Sequence, residues 1–238
     1  MKKLTLLATF AAALFAGKEA KAQDAQAVLI HDSLIYEKPL LQRPLSASLH
    51  LGTQGIGASA KLAIKRQINV RVGFSYLPVS HNMEFKLSGY TSDVKLSSAF
   101  GNVHVLGEYR PFAGSSFRVV GGLAYFFAGE AKADLQPKGT YKFGDIPVSG
   151  QQVGKVEGTI DWKGIAPYLG IGLFNSMPTK KFNVTLDLGT YYLSAPEVTI
   201  DGTNMLKDNK DNEPVVEDNL KGYRWMPVMQ VNFNYRIN

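Results

Sequence analysis

The strongest constraint on the fold is an alternation of apolar and polar residues with a period of two. The alternation is clearest in five stretches, residues 68–76, 117–127, 165–173, 182–192 and 223–237. Successive side chains of a β-strand point to opposite faces, so this pattern predicts strands with one apolar and one polar face. The chain after residue 22 contains no run of 18 apolar residues, the length expected of a membrane-spanning helix. The chain is therefore predicted to be all-β.

Three further strands are predicted from less regular patterns. Residues 94–110 alternate with a change of parity near Gly101 and Asn102, which predicts a β-bulge. Residues 45–51 and 56–64 alternate on either side of the segment 52–55, whose sequence is Gly-Thr-Gln-Gly. A tight turn at this segment gives eight strands in all, whereas a bulge inside one long strand gives seven. We take eight strands as the prediction.

The connections between these strands differ in length in a regular way. The short connections are residues 65–67, 111–116 and 175–181. The longer ones between them are about 79–93, 131–155 and 195–221. Short turns on one side and long loops on the other are typical of bacterial outer-membrane barrels, whose short turns lie in the periplasm. The predicted fold is an eight-stranded antiparallel transmembrane β-barrel with short periplasmic turns and longer extracellular loops.

The composition of the polar face distinguishes a membrane barrel from a soluble β-sandwich or barrel, which buries its large apolar side chains inside. Here the polar face is rich in Gly, Asn and Gln, and its charged residues are Arg71, Glu108, Arg118, Asp187 and Arg224. An eight-stranded barrel has an interior filled by side chains, where an unpaired charge is strongly destabilising. We predict that these five residues form a polar network inside the barrel and that Arg224 pairs with Glu108 or Asp187. A soluble β-sandwich is the alternative.

The N-terminus has the pattern of a secretion signal. A basic head, Met1–Lys3, precedes the apolar stretch 4–16, and Ala20-Lys21-Ala22 has the small-x-small pattern of a cleavage site. The predicted signal is residues 1–22, cleaved between Ala22 and Gln23. It carries four lysines against one glutamate and so contributes +3 of the chain's net charge of +6. The remaining charge is a weak argument for a nucleic-acid partner, and none is expected.

Two motifs extend this interpretation to a resemblance. Residues 162–172, with the sequence WKGIAPYLGIG, resemble the Pro-Tyr-Leu-Gly-x-Gly strand of small outer-membrane proteins, and residues 52–57 resemble a stretch near the start of such proteins. The whole mature chain is similar to the eight-stranded families that include the membrane part of OmpA, OmpW and OmpX. The resemblance implies a location in the outer membrane. Residues 44–238 are predicted to form the barrel, and residues 23–43, which precede the first strand, are predicted to be a periplasmic N-terminal segment, with a plug of the barrel as the alternative. Unlike many such barrels, the chain ends in Asn238 rather than an aromatic residue.

Candidate catalytic and metal-binding residues do not form a recognisable set. His104 and Glu108 lie on one face of a predicted strand, but four residues along a strand span ~13 Å, and no Gly-x-Ser-x-Gly motif is present. We expect His104 to form hydrogen bonds inside the barrel. The last long connection contains several carboxylates, but their spacing differs from that of a calcium-binding loop. The carboxylates are Asp201, Asp208, Asp211, Glu213, Glu217 and Asp218. We expect no catalytic residues, cofactor or metal.

Three classes of function remain open from the sequence. The first is a structural or interaction protein, embedded in outer-membrane lipid, whose loops 80–93, 131–155 and 196–221 contact surface polysaccharide or a partner protein. The second is a narrow pore or transporter for small molecules, including apolar ones. Eight strands leave little open interior, but glycines on the polar face would leave a local cavity; they are Gly73, Gly122, Gly170 and Gly172. The third and least favoured is an enzyme that modifies acyl chains, because no nucleophile and base can be assigned.

Overall fold

The computed structural model describes residues 43–87, 90–112, 114–143 and 146–238. The predicted signal, its cleavage site at Ala22 and Gln23, and nearly all of the predicted segment 23–43 lie outside these residues. Within the described residues no helix is both long and apolar enough to cross a bilayer.

Antiparallel β-strands dominate the described chain. In order along the sequence the elements are β1 (Leu45–Gly52), β2 (Gly55–Lys65), β3 (Ile68–Leu87), β4 (Tyr90–Tyr109), β5 (Arg118–Lys138), β6 (Thr140–Phe143), β7 (Ile146–Ser149), α1 (Gly150–Val153), β8 (Val156–Asp161), β9 (Gly164–Leu173), β10 (Phe182–Tyr192), β11 (Glu197–Gly202), a 3-10 helix (Asn204–Asn212), α2 (Glu213–Leu220) and β12 (Trp225–Arg236).

Eight of these strands pair in a ring in the order β1-β2-β3-β4-β5-β9-β10-β12, and β12 pairs back with β1. Every strand of the ring therefore has two neighbours, which satisfies its backbone N–H and C=O groups without solvent. The predicted eight strands are confirmed, including the turn between β1 and β2, where Gly52 lies opposite Gly55. Gly55 has a φ of 92°, a backbone conformation that favours glycine.

The outward face of the ring is apolar and exposed. Its exposed residues include Leu49, Leu51, Ile56, Val72, Phe74, Val103, Val105, Leu123, Ile165, Leu169, Val184 and Met229. In water a band of this kind would be a large unfavourable apolar surface, whereas in a bilayer it is the lipid-facing surface of a barrel. The inward face is polar, so the soluble β-sandwich is wrong for this chain.

A bulge is present at the level of Gly101 and Asn102, but it is in the neighbouring strand β5 and not in the strand 94–110, where it is predicted. Asn102 pairs with Phe126 and Gly101 pairs with Ala128, so Phe127 is the extra residue on β5. A Cβ added to Gly101 would lie 2.5 Å from the ring of Phe127, so this glycine provides the space in which the ring packs.

Beyond the bulge, part of the ring continues as a sheet that we call the projecting sheet: 77–87 of β3, 90–100 of β4 and 129–138 of β5, together with β8 and β11. Its inner face continues the inward face of the ring, and its outer face continues the outward face. The exposed residues of the inner face are mostly apolar and include Val79, Met83, Phe85, Leu96 and Leu135, with the polar His81 among them.

The outer face of the projecting sheet carries charged side chains in ion pairs. Lys132 lies 3.1 Å from Glu130, and Lys138 lies 2.6 Å from Asp93. The polarity of the two faces is therefore inverted relative to the ring, where the outward face is apolar. A charged outward face belongs in water, so the projecting sheet lies beyond the hydrocarbon of the membrane.

The predicted loops 80–93, 131–155 and 196–221 are wrong as loops. The first is most of a long hairpin of β3 and β4, and the second contains the end of β5, the hairpin β6–β7 and α1. The third contains β11, the 3-10 helix and α2. The alternation continues into the projecting sheet with apolar and polar faces exchanged, and of the predicted strands only 94–110 extends across this exchange.

The inversion predicts opposite responses to the same substitution on the two sides of the bulge. Val105 and Val79 are similarly exposed, at 54% and 48%, but Val105 faces lipid and Val79 faces water. We expect Val105→Lys to lower the free energy of unfolding by about 2–4 kcal/mol, and Val79→Lys by less than about 1 kcal/mol. The measurement is the urea concentration at which the unboiled protein loses its faster electrophoretic mobility. Equal tolerance of the two lysines would show that the ring does not face lipid.

Candidate functional site

The interior of the ring contains a buried cluster of five charged residues, which we call the central network. Its members come from five different strands and are no more than 2% exposed: Lys61, Arg71, Glu108, Arg118 and Asp187. The parity of each strand places these side chains on the inward face. Four of the five were predicted as interior residues from the sequence, and Lys61 was not.

Asp187 connects the two arginines of the central network. Its Oδ2 accepts a hydrogen bond from Arg71 Nη1 at 2.6 Å, and its Oδ1 accepts one from Arg118 Nη2. The amide of Asn232 donates to the same carboxylate at 3.1 Å. Hydrogen bonds between ionised groups are the strongest that side chains form, so this carboxylate joins β3, β5, β10 and β12.

Glu108 lies against the other side of the same arginines. Its Oε1 is 3.4 Å from Arg71 Nε and its Oε2 is 3.6 Å from Arg118 Nε. The hydroxyl of Ser176, in the connection between β9 and β10, donates to Glu108 Oε2. Each arginine thus lies between two carboxylates, which offsets the desolvation of its charge.

Lys61 is the member of the central network that the sequence prediction missed. It is fully buried and directly opposite Arg71 in the β2–β3 pairing. Its ammonium donates to Asn234 Oδ1 at 2.7 Å and lies 4.0 Å from Glu108 Oε1. The signal was present, because the apolar residues of β2 occupy even positions and Lys61 is therefore on the polar face. The network contains three cations for two carboxylates.

Arg224 is outside the central network, and its predicted pairing with Glu108 or Asp187 is wrong. Its Nε donates to the carbonyl oxygen of Leu193 at 2.9 Å, and its guanidinium lies 4.3 Å from the centre of the Tyr192 ring. Arg224 precedes β12, whereas the residue opposite Asp187 is Gln230. Six residues of strand place Arg224 ~20 Å nearer the rim. Its position in the alternation places Arg224 on the inward face, but it lies too far towards the rim to reach the central network.

Histidines and amides form a second interior layer next to the central network. His50 Nε2 lies 2.8 Å from the hydroxyl of Ser75, and His104 Nδ1 lies 3.0 Å from Asn102 Oδ1. His104 therefore hydrogen bonds inside the barrel, as predicted, while Glu108 interacts with the arginines. Gln54, in the turn between β1 and β2, is buried and donates to Gln230. This turn therefore folds a polar side chain inward over the interior.

An apolar cluster closes the interior on the side of the projecting sheet. We call it the plug; its members are Leu106, Val120, Ala124, Phe126, Ala166, Tyr168, Tyr191, Leu193 and Val228. The ring of Tyr191 meets Phe126 edge-on at 5.2 Å between centroids and lies 4.7 Å from Tyr168. Phe100, Trp162 and Met226 pack against the plug from outside it. These aromatic rings fill the part of the interior that they occupy.

The interior glycines accommodate large side chains, and their predicted role as a source of open space is wrong. A Cβ added to Gly73 would lie 2.7 Å from His104 Nε2, and one added to Gly170 would lie 2.7 Å from the hydroxyl oxygen of Tyr168. A Cβ on Gly172 would overlap the guanidinium of Arg118, and one on Gly122 would overlap the backbone of β4. The space that the glycines leave is therefore already filled.

A small cavity remains at the end of the interior nearest the short turns. Its volume is about 30 Å³, which holds one or two waters. Its polar lining comprises Gln67, Asn69, Glu108, Arg110, Arg118 and Ser176. Among the described residues, no three His, Asp or Glu side chains are grouped so that they could hold a metal ion.

Comparisons with known proteins give a likeness of fold. No protein-family model matches the chain, and no curated protein matches it. The crystal structures of CarO and CarO2 from Acinetobacter baumannii match 83% and 81% of this chain and 99% and 98% of their own chains, with TM-scores of 0.54 and 0.53 and identities of 24% and 19%. A major outer membrane protein from Thermus thermophilus covers 82% of this chain and 98% of its own, at 11% identity and a TM-score of 0.40.

The ring of eight strands, its apolar exterior and its polar interior define the class of the protein. It is an outer-membrane β-barrel. The fold that it shares with CarO and CarO2 agrees with this assignment. The similarity to the families of OmpA, OmpW and OmpX stays a prediction.

The central network predicts a large effect of neutralising one carboxylate. Asp187→Asn keeps the shape of the side chain but removes the charge between Arg71 and Arg118. We expect the free energy of unfolding to fall by about 3–5 kcal/mol, because a buried cation loses its partner. Asp218→Asn, which removes an exposed ion pair with Lys221, is the control and should change it by less than about 1 kcal/mol. Urea unfolding followed by electrophoretic mobility measures both, and a similar small loss in the two variants would contradict the pairing.

Proposed function

We propose that the protein is a closed outer-membrane anchor that holds the projecting sheet outside the cell as a surface for binding a partner. The observation that carries the proposal is the filled interior, which the central network, the histidine and amide layer and the plug occupy side by side. A barrel of eight strands has room only for side chains, and here these side chains bond to one another across the interior.

The filled interior argues against a narrow pore or transporter. The cavity of about 30 Å³ is bounded by Glu108 and Arg118, so a solute would have to part the ion pairs of the central network. It would then have to displace the aromatic rings of the plug. Each step exposes buried charge or opens packed apolar contacts, and both are unfavourable by several kcal/mol.

The projecting sheet has the features of an interaction surface. Its inner face is half-exposed near β3 and β4, where Val79 and Phe85 are 48% and 50% exposed. At β11 the 3-10 helix and α2 contact the sheet, and Glu213 accepts a hydrogen bond from the N–H of Ile200 at 2.7 Å, which satisfies a backbone donor at the edge of that strand. An exposed apolar surface on a folded protein usually marks a binding site. Its apolar character favours a protein partner over a surface polysaccharide.

An enzymatic role finds no support in the arrangement of the interior. His104 bonds to Asn102, and Glu108 interacts with two arginines and a lysine, so neither is placed to activate a serine. We propose that the protein acts without catalytic residues.

The proposal predicts an electrically silent barrel. Refolded mature protein added to a planar lipid bilayer should give no conductance steps, whereas a large porin added to the same bilayer should conduct. The silence is expected because the interior has no continuous water-filled path. Stepwise conductance from the heat-modifiable, folded protein would overturn the closed anchor in favour of a pore.

A deletion tests the second half of the proposal. Pro78 and Ala99 are directly opposite in the β3–β4 pairing, so residues 79–98 can be replaced by an Asn-Gly turn without changing the register below. We expect this variant to keep the mobility difference between boiled and unboiled samples, because the ring closes without the projecting sheet. Loss of that difference would show that the sheet is part of the barrel's stability and not a surface displayed by it.

A further inference from the structure

Arg224 is held in one orientation at the outer rim of the ring by two contacts. Its Nε donates to the carbonyl oxygen of Leu193 at 2.9 Å, and its guanidinium lies 4.3 Å from the centre of the Tyr192 ring. A guanidinium has five N–H groups in one plane, and the four on its two Nη atoms have no hydrogen-bond partner among the described residues. The side chain therefore presents a fixed pair of amino groups to its surroundings.

Arg224 also differs from the neighbouring cations of the rim in having no carboxylate partner. Lys163 lies 2.9 Å from Asp161, and Lys221 lies 2.6 Å from Asp218. In the part of the chain that the structure describes, no Asp or Glu oxygen lies within 4.0 Å of the Arg224 guanidinium. Arginine keeps its charge at any physiological pH, so this cation is available to an anion from outside the protein.

The contacts of Trp162 place Arg224 at the level where the surroundings change from hydrocarbon to water. Trp162 Nε1 donates to the carbonyl oxygen of Tyr223, the residue before Arg224, at 2.9 Å, and the indole lies 6.1 Å from the ring of Phe100. Phe100 directly precedes Gly101, and the polarity of the sheet inverts at Gly101. The headgroups of membrane lipids lie at this boundary.

The aromatic ring beneath the guanidinium belongs to the lipid-facing side of the ring of strands. Tyr191 is in the plug, so the next residue, Tyr192, points outward. Tyr192 is directly opposite Trp225, which is 66% exposed, and the two aromatic rings are 4.8 Å apart. Further into the membrane on the same face, Leu188 is opposite Met229. An amphiphile at this place would meet a cation at the boundary and apolar side chains below it.

We propose that Arg224 binds the phosphate of an outer-leaflet lipid whose acyl chains lie along the outward face of β10 and β12. The two Nη groups match two oxygens of one phosphate, a paired geometry that an ammonium group cannot provide. Tyr192 positions the guanidinium through its ring, and the backbone of Leu193 fixes the rotation of the guanidinium plane. This inference goes beyond the proposed function and does not depend on a closed interior.

The surroundings of Arg224 favour a lipid over a free phosphate ion. A free ion would be held by one half-exposed cation in competition with water and salt, and such contacts are weak. A lipid is already concentrated at the boundary, and its acyl chains cover the apolar outward face below Tyr192 and Trp225. The phosphate then has to be captured only from its immediate neighbourhood, at a high effective concentration.

Native mass spectrometry tests the proposal with bisphosphorylated lipid A as the probe. Refolded mature protein in detergent is titrated with the lipid, and the fraction of protein that retains one lipid is measured. The control is the same lipid without its two phosphates, which has identical acyl chains. We expect the phosphorylated lipid to bind at least about tenfold more tightly, and equal binding of the two would overturn the proposal. Displacement of the lipid by inorganic phosphate in excess would also overturn it, because the site would then serve a free anion.

A matched pair of arginine variants locates the bound phosphate. Arg224→Gln should weaken binding of the phosphorylated lipid roughly tenfold, because the charge and the paired donors are lost. The control is Arg236→Gln at the opposite end of β12, where the Nε of Arg236 also donates to a backbone carbonyl oxygen, that of Asn238, at 2.6 Å. This variant should change binding less than about twofold. Equal losses in the two variants would show general attraction to a basic protein and overturn the site.

A second set of variants tests the geometry of the site. Arg224→Lys keeps the charge but not the paired donors, and we expect it to weaken binding roughly threefold. Tyr192→Leu removes the ring on which the guanidinium lies and should weaken binding by a similar factor, whereas Tyr192→Phe keeps the ring and should change binding less than about 1.5-fold. Binding that is as strong in Tyr192→Leu as in Tyr192→Phe would overturn the positioning by Tyr192.

A measurement in vesicles separates lipid binding from any change in the stability of a variant. For each variant, the temperature at which the unboiled protein loses its faster mobility is compared between phosphatidylcholine vesicles that contain phosphorylated and dephosphorylated lipid A. A ligand that binds only the folded protein raises this temperature. We expect the phosphorylated lipid to raise it in the unsubstituted protein and in Arg236→Gln, but not in Arg224→Gln. A rise that persists in Arg224→Gln would overturn the proposal, and none of these results bears on whether the barrel conducts.

Discussion

The absence of hydrogen-bond partners in hydrocarbon is the constraint on which the whole structure depends. Because each backbone N–H and C=O must pair within the protein, the eight strands close into a ring by pairing β12 with β1. Closure gives each strand an outward face in lipid and an inward face in a narrow interior. The inward face then takes the polar residues, which have only one another as partners. Arg71 and Arg118 between Glu108 and Asp187 are the result of this enclosure.

The same reasoning explains why the polarity of the sheet inverts at the bulge. Below Gly101 and Phe127 the outward face meets lipid and is apolar, and above them it meets water and carries ion pairs such as Lys138 with Asp93. The strands are continuous across this level, but their surroundings change from hydrocarbon to water. In β5 the bulge shifts the parity by one residue. In β3 the ladder has no shift, and the sequence itself exchanges apolar and polar positions after Tyr76.

The strands of the ring were predictable because alternation is a local property. The turn at Gly52–Gly55 also has a local signal and is present. The change of parity near Gly101 in β4 reflects the exchange of faces, and the bulge at this level is in β5. The sequence predicts less well which interior side chains contact one another, because these contacts depend on how far each strand is staggered against the next. The alternation places Arg224 on the inward face, but it lies at the rim. The alternation places Lys61 on the inward face equally clearly, yet the sequence prediction does not include it. Most of the projecting sheet is absent from the prediction because its faces are exchanged; residues 94–100 are the part that the predicted strand 94–110 includes.

Closure of the ring and the unpaired part of the β3 edge have one origin. Within the membrane the edge of every strand is paired. Neighbouring strands can therefore differ in length only where the longer strand extends into water. Among the described residues, β3 continues beyond β2 from Leu77 onward, and no strand pairs with that part of its edge. The unpaired stretch therefore lies in the one place where the membrane does not forbid it. An edge of this kind favours association with other chains, and Pro78 removes one backbone donor from it.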